Sequence, residues 1–305
     1  MKRLIALLSV LLLALGMTGP AFGAEHCQDT GVGLDANYVN EVPDEPFTVT
    51  CDVGIFFDEN GRVEDAVVRA TAADARSSQY GVYVYDARVN VTNTTVDVDE
   101  DYPHEFVSVA YLDGSSGRVT GNELDGAHRV GVLLRGAGTN VTVSGNAITG
   151  TGKKTSNWAE NGIQIDQGAS GIVRENTVED HYWGLNNFSS SGILVLTDGV
   201  NVQRNTIGGN DLGLWVGGDN NNVIHNTIKA TDDPDVGVWN DGVFIEGDNN
   251  GLRQNTLINE RADNGDVGVW VFGNRNKLIR NDITGWGFHD VHDGGEGTVR
   301  PRPFQ

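Results

Sequence analysis

One short phrase recurs along most of this chain and limits the fold more than any other feature. It consists of an aliphatic residue, two variable residues, an asparagine, one variable residue and a second aliphatic residue. The phrase occurs seven times with this spacing, at intervals of 21 to 30 residues. A repeat of this period indicates a solenoid, in which each repeat is one structural unit. The repeated asparagines are Asn122, Asn146, Asn176, Asn205, Asn226, Asn255 and Asn281.

A second phrase lies between the asparagine phrases and consists of glycine, an aliphatic residue, a variable residue and another aliphatic residue. Examples are residues 162–165, 213–216 and 268–271. This alternation is typical of short strands. Three short strands per repeat cannot bury their own apolar face, so we expect copies to stack about 4.8 Å apart, each strand pairing with its equivalent. The sequence therefore predicts an all-β parallel solenoid of about nine coils.

The recurring asparagines have a structural explanation. If the repeats stack in register, the side-chain amides can hydrogen-bond along the axis as a ladder. A ladder provides partners for polar groups that would otherwise be buried without them. We place each asparagine at a bend between strands, in the left-handed backbone conformation that this residue tolerates. These asparagines are therefore assigned to the scaffold.

The asparagine phrase, with segments such as Asn161-Gly162-Ile163-Gln164-Ile165, resembles the right-handed parallel β-helix repeat proteins, the superfamily that includes pectate lyases. The residues of its repeat phrases most resemble those of uncharacterised secreted bacterial members of this superfamily. The resemblance implies one right-handed β-helix over residues 59–293, with a substrate groove along one edge. The calcium-binding carboxylates and catalytic arginine of pectate lyases have no matching positions in this sequence. The resemblance therefore carries the fold but no activity.

The two ends of the chain do not follow the repeat. Residues 1–23 combine a basic start, an apolar run and small residues before a cleavage point after Gly23, the pattern of a signal peptide. We expect export to the periplasm, the cell surface or the medium, where a disulfide between Cys27 and Cys51 would form. Residues 24–58 are expected to cap the helix, and residues 294–305 to form an irregular tail. No later segment is apolar enough to span a membrane, and we expect a monomer.

The chain has a formal net charge of −21. Such a surface repels nucleic acid, which requires clustered positive charge, so we expect no nucleic-acid partner. It also counts against a polyanionic substrate unless cations bridge the two. We predict no cofactor and no metal site. Calcium binding among Asp232, Asp233, Asp235 and Asp241 is conceivable, but an acidic loop in an acidic protein needs no ion.

One edge of the solenoid collects the long insertions, which all follow an asparagine strand and precede a glycine strand. These are residues 150–161, 180–191, 229–241 and 259–267. Insertions on one face of a solenoid often form its binding face. The outward positions of the glycine strands form a column beside this edge: Leu133, Gln164, Leu194, Trp215, Phe244 and Trp270, with His292 as its continuation.

Aromatic rings beside polar groups suit sugars, which have an apolar face and many hydroxyls. We therefore predict a substrate-binding surface, the alternative being that the long loops fold over the column and bury it. The predicted substrate-binding residues are Gln164, Trp215, Phe244, Trp270, Trp158, Tyr182 and Trp183.

Candidate catalytic residues precede successive glycine strands. Neighbouring coils could bring pairs among Asp211, Asp241 and Asp266 within about 5–10 Å. Crowding of this kind raises the pKa of one carboxyl group and permits acid–base chemistry. The same residues could equally make hydrogen bonds within turns. Asp166 and Glu246 are three coils apart, about 14 Å at the strand spacing, which is too far to cooperate.

A lyase or an epimerase also needs a base and a cation. His181 and Tyr182 are candidate bases. In the segment His289-Asp290-Val291-His292-Asp293, the two histidines could share a metal if the segment formed a helix, whereas a strand would place them on opposite faces. The segment lies where the β-helix ends, so we interpret it as a polar terminal cap. The candidate cations are scattered over several coils: Arg135, Lys153, Lys154 and Arg261.

Two functions remain open from the sequence. One is a secreted protein that binds an extracellular polysaccharide, with or without processing it as a lyase, a glycoside hydrolase or an epimerase. The other is a non-catalytic scaffold or interaction protein of the cell envelope or surface. The sequence leaves open whether the chain is an enzyme.

Overall fold

The structure is a computed structural model that describes residues 27–152, 158–183, 190–230, 241–260 and 265–300. In these residues the chain is almost entirely β-structure, wound into about eight turns, close to the nine predicted. The helical content of the described chain is one short 3-10 turn at Ala72–Asp74. Each turn contributes strands to three stacked sheets, named sheets 1, 2 and 3 below. The predicted parallel solenoid is confirmed.

Sheet 1 contains the glycine phrases and has 12 strands. Its strands are Gln28–Asp29, Asp35–Val39, Val53–Phe57, Ser78–Tyr85, Glu105–Leu112, Val130–Arg135, Asn161–Asp166, Ser191–Val195, Leu212–Val216, Asp241–Ile245, Val267–Val271 and His289–Asp293.

Sheets 2 and 3 lie on either side of the asparagine bend. Sheet 2 has the strands Gly61–Glu64, Arg88–Thr92, Ser116–Thr120, Asn140–Ser144, Ser170–Arg174, Asn201–Gln203, Asn222–Ile224, Gly251–Arg253 and Lys277–Ile279. Sheet 3 has the strands Phe47–Thr48, Val67–Ala70, Thr95–Val98, Glu123–Asp125, Ala147–Thr149, Thr177–Glu179, Thr206–Gly208, Thr227–Lys229, Thr256–Ile258 and Asp282–Thr284.

The N-terminal segment joins the solenoid earlier than residue 59. Val53–Phe57 already pairs in parallel with Ser78–Tyr85, and Phe47–Thr48 pairs with Val67–Ala70. The end of sheet 1 is an antiparallel pairing of Gln28 with Ala36, so a short hairpin forms the edge strand. Cys27 and Cys51 form the predicted disulfide, with their Cα atoms 5.8 Å apart. The described part of the predicted cap therefore contains the edge hairpin, the disulfide and the first strands of the solenoid.

The interior is one continuous apolar cluster that runs from Phe47 to Trp286. Equivalent residues of successive coils pair in register, so identical positions stack along the axis. One such row is Ile163, Ile193, Leu214, Val243 and Val269, all fully buried. Because each coil covers its neighbours, the short strands bury the face that they could not bury alone.

The asparagine ladder is present at the bend between sheets 2 and 3. Each side-chain nitrogen donates to the side-chain oxygen of the next asparagine at 2.8 to 3.0 Å. It donates a second bond to a main-chain carbonyl of the preceding coil, as Asn205 does to Val173. The side-chain oxygen also accepts the main-chain N–H of the preceding asparagine, as Asn205 does from Asn176. The ladder amides are therefore fully paired although buried.

The predicted left-handed conformation of the ladder asparagines is wrong. The left-handed residue is the one immediately before each asparagine, for example Glu175 (φ 58°), Arg204 (φ 55°) and His225 (φ 59°). Placing the turn one residue earlier directs the following side chain into the stack. An asparagine is needed there for its two-sided hydrogen bonding and not for its backbone freedom.

A second asparagine ladder, which the sequence analysis missed, lies at the corner between sheets 1 and 2. The main-chain N–H of Asn221 donates to the side-chain oxygen of Asn250 at 2.7 Å, and that of Asn250 donates to Asn276 at 2.7 Å. All three side chains are buried. The sequence signal for this ladder is the segment Gly-Asp-Asn-Asn, which occurs at residues 218–221 and again at residues 247–250.

The side chains of sheet 1 do not alternate strictly between the two faces of the sheet. The residue at the glycine position of each strand is not paired: Val267 pairs with His289, and the next pair is Val269 with Val291. Residues three apart, on either side of the glycine, therefore face the same side, as the contact between the rings of Tyr80 and Tyr83 shows.

The prediction that His289 and His292 face opposite sides of a strand is accordingly wrong. Their ring centroids lie 5.6 Å apart with an angle of 27° between the planes. The rule of strict alternation fails here because the unpaired position adds one residue between the two outward positions.

Candidate functional site

The outward column predicted from the glycine phrases is present on sheet 1. Its members pair residue to residue through successive coils: Leu133, Gln164, Leu194, Trp215, Phe244, Trp270 and His292. Towards the N-terminus the same row continues through Ala110, Tyr83 and Phe56.

The two halves of this row differ in exposure. Phe56, Tyr83 and Leu133 are at most 8% exposed and belong to an apolar cluster on the outer side of the sheet. The C-terminal half is half-exposed throughout, and we call it the aromatic column: Leu194, Trp215, Phe244, Trp270 and His292. Of the residues that the sequence predicted for the column, Leu133 and Gln164 are buried, and those from Leu194 onward are partly exposed.

The rings of the aromatic column contact one another along the axis. The ring centroids of Trp215 and Phe244 are 5.3 Å apart, and those of Trp270 and His292 are 4.5 Å apart. Phe272 adds a further ring, nearly parallel to that of Trp270 at 5.7 Å, and is 50% exposed. The sequence analysis missed Phe272 because it lies outside the glycine phrase, directly after residues 268–271.

Carboxylates hold both indole groups of the aromatic column. The indole N–H of Trp215 donates to Glu246 at 2.9 Å, and that of Trp270 donates to Asp241 at 2.9 Å. A bond at the edge of an indole restricts its rotation and leaves the ring face free for contact.

Asp241 is nearly buried among these groups. Its second oxygen accepts the main-chain N–H of Val267 at 2.7 Å. Burial raises the pKa of Asp241 to about 7, with a smaller upward contribution from the nearby charge of Asp266. Asp266 is also buried, and it accepts a hydrogen bond from Asn259 at 2.8 Å. The charge of Asp266 thus adds to the effect of burial on Asp241, and burial is the larger cause.

Asp211 has a different environment. One of its carboxylate oxygens accepts the main-chain N–H groups of Trp183 and Ser190, at 2.8 and 3.2 Å. Burial raises its pKa to about 6. Asp241 pairs with Leu212 and not with Asp211. Asp211 and Asp241 therefore occupy positions that differ by one residue within their coils. Asp211 therefore binds residues of the insertion 180–191 in the preceding coil, whereas Asp241 contacts the indole of Trp270.

His181 does not lie on the outer face. Its side chain is fully buried at the corner between sheets 3 and 1, with Nδ1 3.0 Å from the side-chain oxygen of Asn210. Burial lowers its pKa to about 4, which keeps the ring neutral at physiological pH. A polymer on the outer face does not reach this ring, and Tyr182 beside it is also buried.

A polar network occupies the outer face between the buried half and the aromatic column. Arg135 donates two hydrogen bonds to Asp166, at 2.8 and 2.7 Å. Asp166 also accepts from Gln164, and Gln164 accepts from Asn161. Gln164, predicted to bind substrate, is thus buried and bonded within the protein, and the charge of Arg135 is already paired.

The remaining predicted residues lie at the loop edge. Trp158 is half-buried, and its indole N–H donates to the main-chain oxygen of His128. Trp183 is half-buried beside Asp211. Six candidate cations and calcium ligands lie outside the described residues: Lys153, Lys154, Asp232, Asp233, Asp235 and Arg261. Among the residues that are described, no group of three or more His, Cys, Asp or Glu is arranged to hold a metal ion.

The sequence matches one protein family, described as "Right handed beta helix region", over residues 108–289. This match covers more than half of the chain. The chain belongs to the right-handed β-helix family. The family assignment agrees with the stacked parallel sheets and confirms the architecture that the repeat predicted.

Solved structures similar to this β-helix include two variants of the periplasmic alginate epimerase AlgG. A single-substitution variant is 15% identical over 83% of this chain and 67% of its own, with a TM-score of 0.52. A double-substitution variant is 15% identical over 85% and 68%, with a TM-score of 0.49. The Dettilon tailspike protein is 16% identical over 78% and 60%, with a TM-score of 0.38. At these identities the likeness concerns the fold alone.

Comparison with curated proteins finds no sequence match for this β-helix. In the part of the chain that the structure describes, no helix has the length and apolarity needed to cross a membrane.

Proposed function

We propose that this β-helix is an extracytoplasmic protein that binds a polysaccharide along its aromatic column. The observation that carries the proposal is the row of Trp215, Phe244, Trp270 and His292 on four successive coils, paired in register and half-exposed. Aromatic surface of this extent is costly to leave in water, and its presence on a solenoid face favours binding.

The spacing and chemistry of the column suit a sugar chain. Coils stack about 4.8 Å apart, close to the length of one sugar residue, so successive rings can contact successive sugars. The face of each ring offers apolar contact. The carboxylates of Glu246 and Asp241, held at the indole edges, are acceptors beside the rings where sugar hydroxyls would lie.

Two further findings are consistent with this proposal. The Cys27–Cys51 disulfide is typical of proteins exported from the cytoplasm. The solved structure with the TM-score of 0.52 is described as a periplasmic alginate epimerase, a protein that acts on a polysaccharide. That structure supports the fold, and only the general class of a polysaccharide, not alginate itself, is extended to this chain as part of the proposal.

If the protein also processes its polymer, Asp241 is the residue best suited to acid–base chemistry. Its pKa of about 7 allows it to give or take a proton near neutral pH, and it lies next to Trp270 in the column. Incubation of the protein with a bound polysaccharide, followed by assays for new reducing ends, unsaturated products and epimerised sugars, tests this extension. Turnover that Asp241→Asn abolishes supports it, and turnover that survives this substitution excludes Asp241.

The binding proposal is tested by removing the rings. We expect Trp215→Ala and Trp270→Ala each to weaken retention in polysaccharide-containing gels by about tenfold or more, because large aromatic anchors dominate interfaces of this kind. Ile172→Ala is the control, since Ile172 is an exposed apolar residue on sheet 2, away from the column. Thermal unfolding of each variant shows whether it is folded. If no polysaccharide retains the folded wild-type protein, the proposal fails.

The alternative function is a non-catalytic scaffold of the cell envelope or surface. One observation favours it: His181 is buried and Arg135 is already paired, so the described residues hold no compact catalytic group of base and cation. This alternative predicts a protein partner in cross-linking experiments and no product from any polysaccharide. Product formation by the wild-type protein excludes it.

A further inference from the structure

We infer that the polymer bound by the aromatic column carries no negative charge. This inference rests on the proposed carbohydrate-binding function and adds a substrate class to it. The neutral and the cationic glycans both fall within the class, and the uronic-acid and sulfated polymers fall outside it.

The first observation is the charge of the strands that form the column. Five strands of sheet 1 contribute to it, from Ser191–Val195 to His289–Asp293. None of these five described strands contains a lysine or an arginine. The acidic residues within them or directly next to them are Asp211, Asp241, Glu246, Asp266, Asp290 and Asp293.

The second observation is where these acids lie. Glu246 is exposed, and its carboxylate is 2.9 Å from the indole nitrogen of Trp215. A sugar stacked on Trp215 therefore lies close to this carboxylate. A negatively charged group on that sugar would meet a like charge across a short distance, which weakens binding.

The third observation concerns three arginines around the column, each of which has a carboxylate partner. Arg135 pairs with Asp166 at 2.7 Å, on the polar network that precedes the column. Arg275 approaches Asp248 at 3.6 Å at the adjoining corner. Arg300 approaches Asp293 at 3.1 Å at the C-terminal end.

These pairs leave little positive charge on the described face for a polymer to use. A polyuronate needs cations to neutralise its carboxylates, and the column offers hydrogen-bond acceptors instead. A neutral sugar can donate its hydroxyls to Glu246, and an amino sugar can place its ammonium group over the rings and beside the carboxylate. The chemistry of the face thus separates glycans by the sign of their charge.

The test uses pairs of oligosaccharides with the same backbone and length, one neutral and one uronic: mannan with mannuronan, and glucan with glucuronan. Binding of each is measured by calorimetry at low and at high salt. We expect the neutral member of a pair to bind about tenfold or more tightly, and the difference to shrink at high salt because salt screens exposed charges. Tighter or equal binding of a uronic member at low salt overturns the inference while leaving the proposed function standing. Failure of every oligosaccharide to bind overturns both.

A matched pair of variants separates the charge of the face from the charge of the whole protein. Glu246→Gln and Glu64→Gln each remove one negative charge from an exposed side chain. Glu64 lies on sheet 2, next to Arg62 at 3.4 Å. We expect Glu246→Gln to reduce the preference for the neutral oligosaccharide by about threefold or more, and Glu64→Gln to leave it unchanged. An equal effect of both variants shows that net charge decides the preference and overturns the inference.

Discussion

At the scale of single residues, Asp241 links the chemistry of the site to the stability of the fold. It is buried, it holds the indole of Trp270, and the nearby charge of Asp266 adds to the effect of burial. Its pKa is raised from 3.8 to about 7. The folded protein therefore binds a proton at Asp241 more readily than the unfolded chain does. The resulting stability is fully present below about pH 3.8 and is lost as the pH rises through about 7.

The direction of this pH dependence of stability gives the first prediction. The free energy of unfolding of the wild type, relative to that of Asp241→Asn, should be larger at about pH 5 than at about pH 8, by on the order of a few kcal/mol. Denaturant titrations at the two pH values measure the difference. Asp290→Asn is the control, because it removes an exposed carboxylate from the edge strand of the same sheet. A pH dependence that is the same in the wild type and in Asp241→Asn would contradict the account.

Several residues of the site could be found from the sequence, and others could not. Trp215, Phe244 and Trp270 recur at one position of a repeated phrase, so their alignment followed from the period alone. Phe272 occupies a position that is glycine in two of the neighbouring coils, Gly217 and Gly294, so the repeat gave no signal for it. The burial of His181 depends on how a long insertion folds at a corner, and a repeat pattern does not carry that information.

At the scale of structural elements, two devices hold the coils in register. The asparagine ladder fixes the bend between sheets 2 and 3, and the glycines of the second phrase fix sheet 1. A Cβ atom at Gly213 would lie 2.5 Å from the side chain of Ile228 and 2.7 Å from the carbonyl oxygen of Gly242. The phrase therefore requires glycine because two backbones approach closely at the unpaired position.

The ladder prediction concerns Asn205. Asn205→Ala removes the acceptor for both the main-chain and the side-chain N–H groups of Asn176 and leaves them buried. A buried donor without a partner costs about 1–3 kcal/mol, so we expect a loss of roughly 3 kcal/mol in the free energy of unfolding. Asn201→Ala, at a half-exposed position of sheet 2, is the control and should cost about 0.5 kcal/mol or less. Equal losses in both variants would show that the ladder adds no stability.

The glycine prediction concerns Gly213. Gly213→Ala should lower the free energy of unfolding by about 1–3 kcal/mol, the range for overpacking a tight interior. Gly265→Ala is the matched control, because a Cβ atom there meets nothing within 4 Å. Thermal unfolding of the two variants measures the difference. The explanation of the second phrase by close approach is excluded if Gly213→Ala is as stable as the wild type.

The sequence predicted these elements in part. The asparagine ladder followed from stacking identical residues, because a side-chain amide can both donate to and accept from its equivalents in the adjacent coils. The position of the left-handed residue did not follow, since Glu175, Arg204 and His225 share no feature that marks them for that conformation. The unpaired glycine position could not be predicted for a similar reason. Strands whose side chains alternate strictly and strands with one unpaired position have the same short apolar phrase.

At the scale of the whole molecule, the fold separates scaffold from surface. Sheets 2 and 3 and both asparagine ladders hold the coils together, and sheet 1 presents the aromatic column beside the edge where the long insertions leave the solenoid. The repeat predicted this division, because most of the variation in length falls in one segment of each repeat. The activity does not follow from the repeat, since the same fold supports many functions. The proposed binding function therefore depends on the site and on the charge around it.

Hydrogen–deuterium exchange with and without a retained polysaccharide tests the central claim most directly, because it reports where the polymer binds. Local exchange slows where a ligand reduces the opening of a segment. The account predicts slower exchange in Leu212–Val216, Asp241–Ile245 and Val267–Val271, with no change in the strands of sheet 2 between Asn201 and Ile279. Protection confined to sheet 2, or to the buried N-terminal half of sheet 1, would contradict the claim that the aromatic column is the binding site.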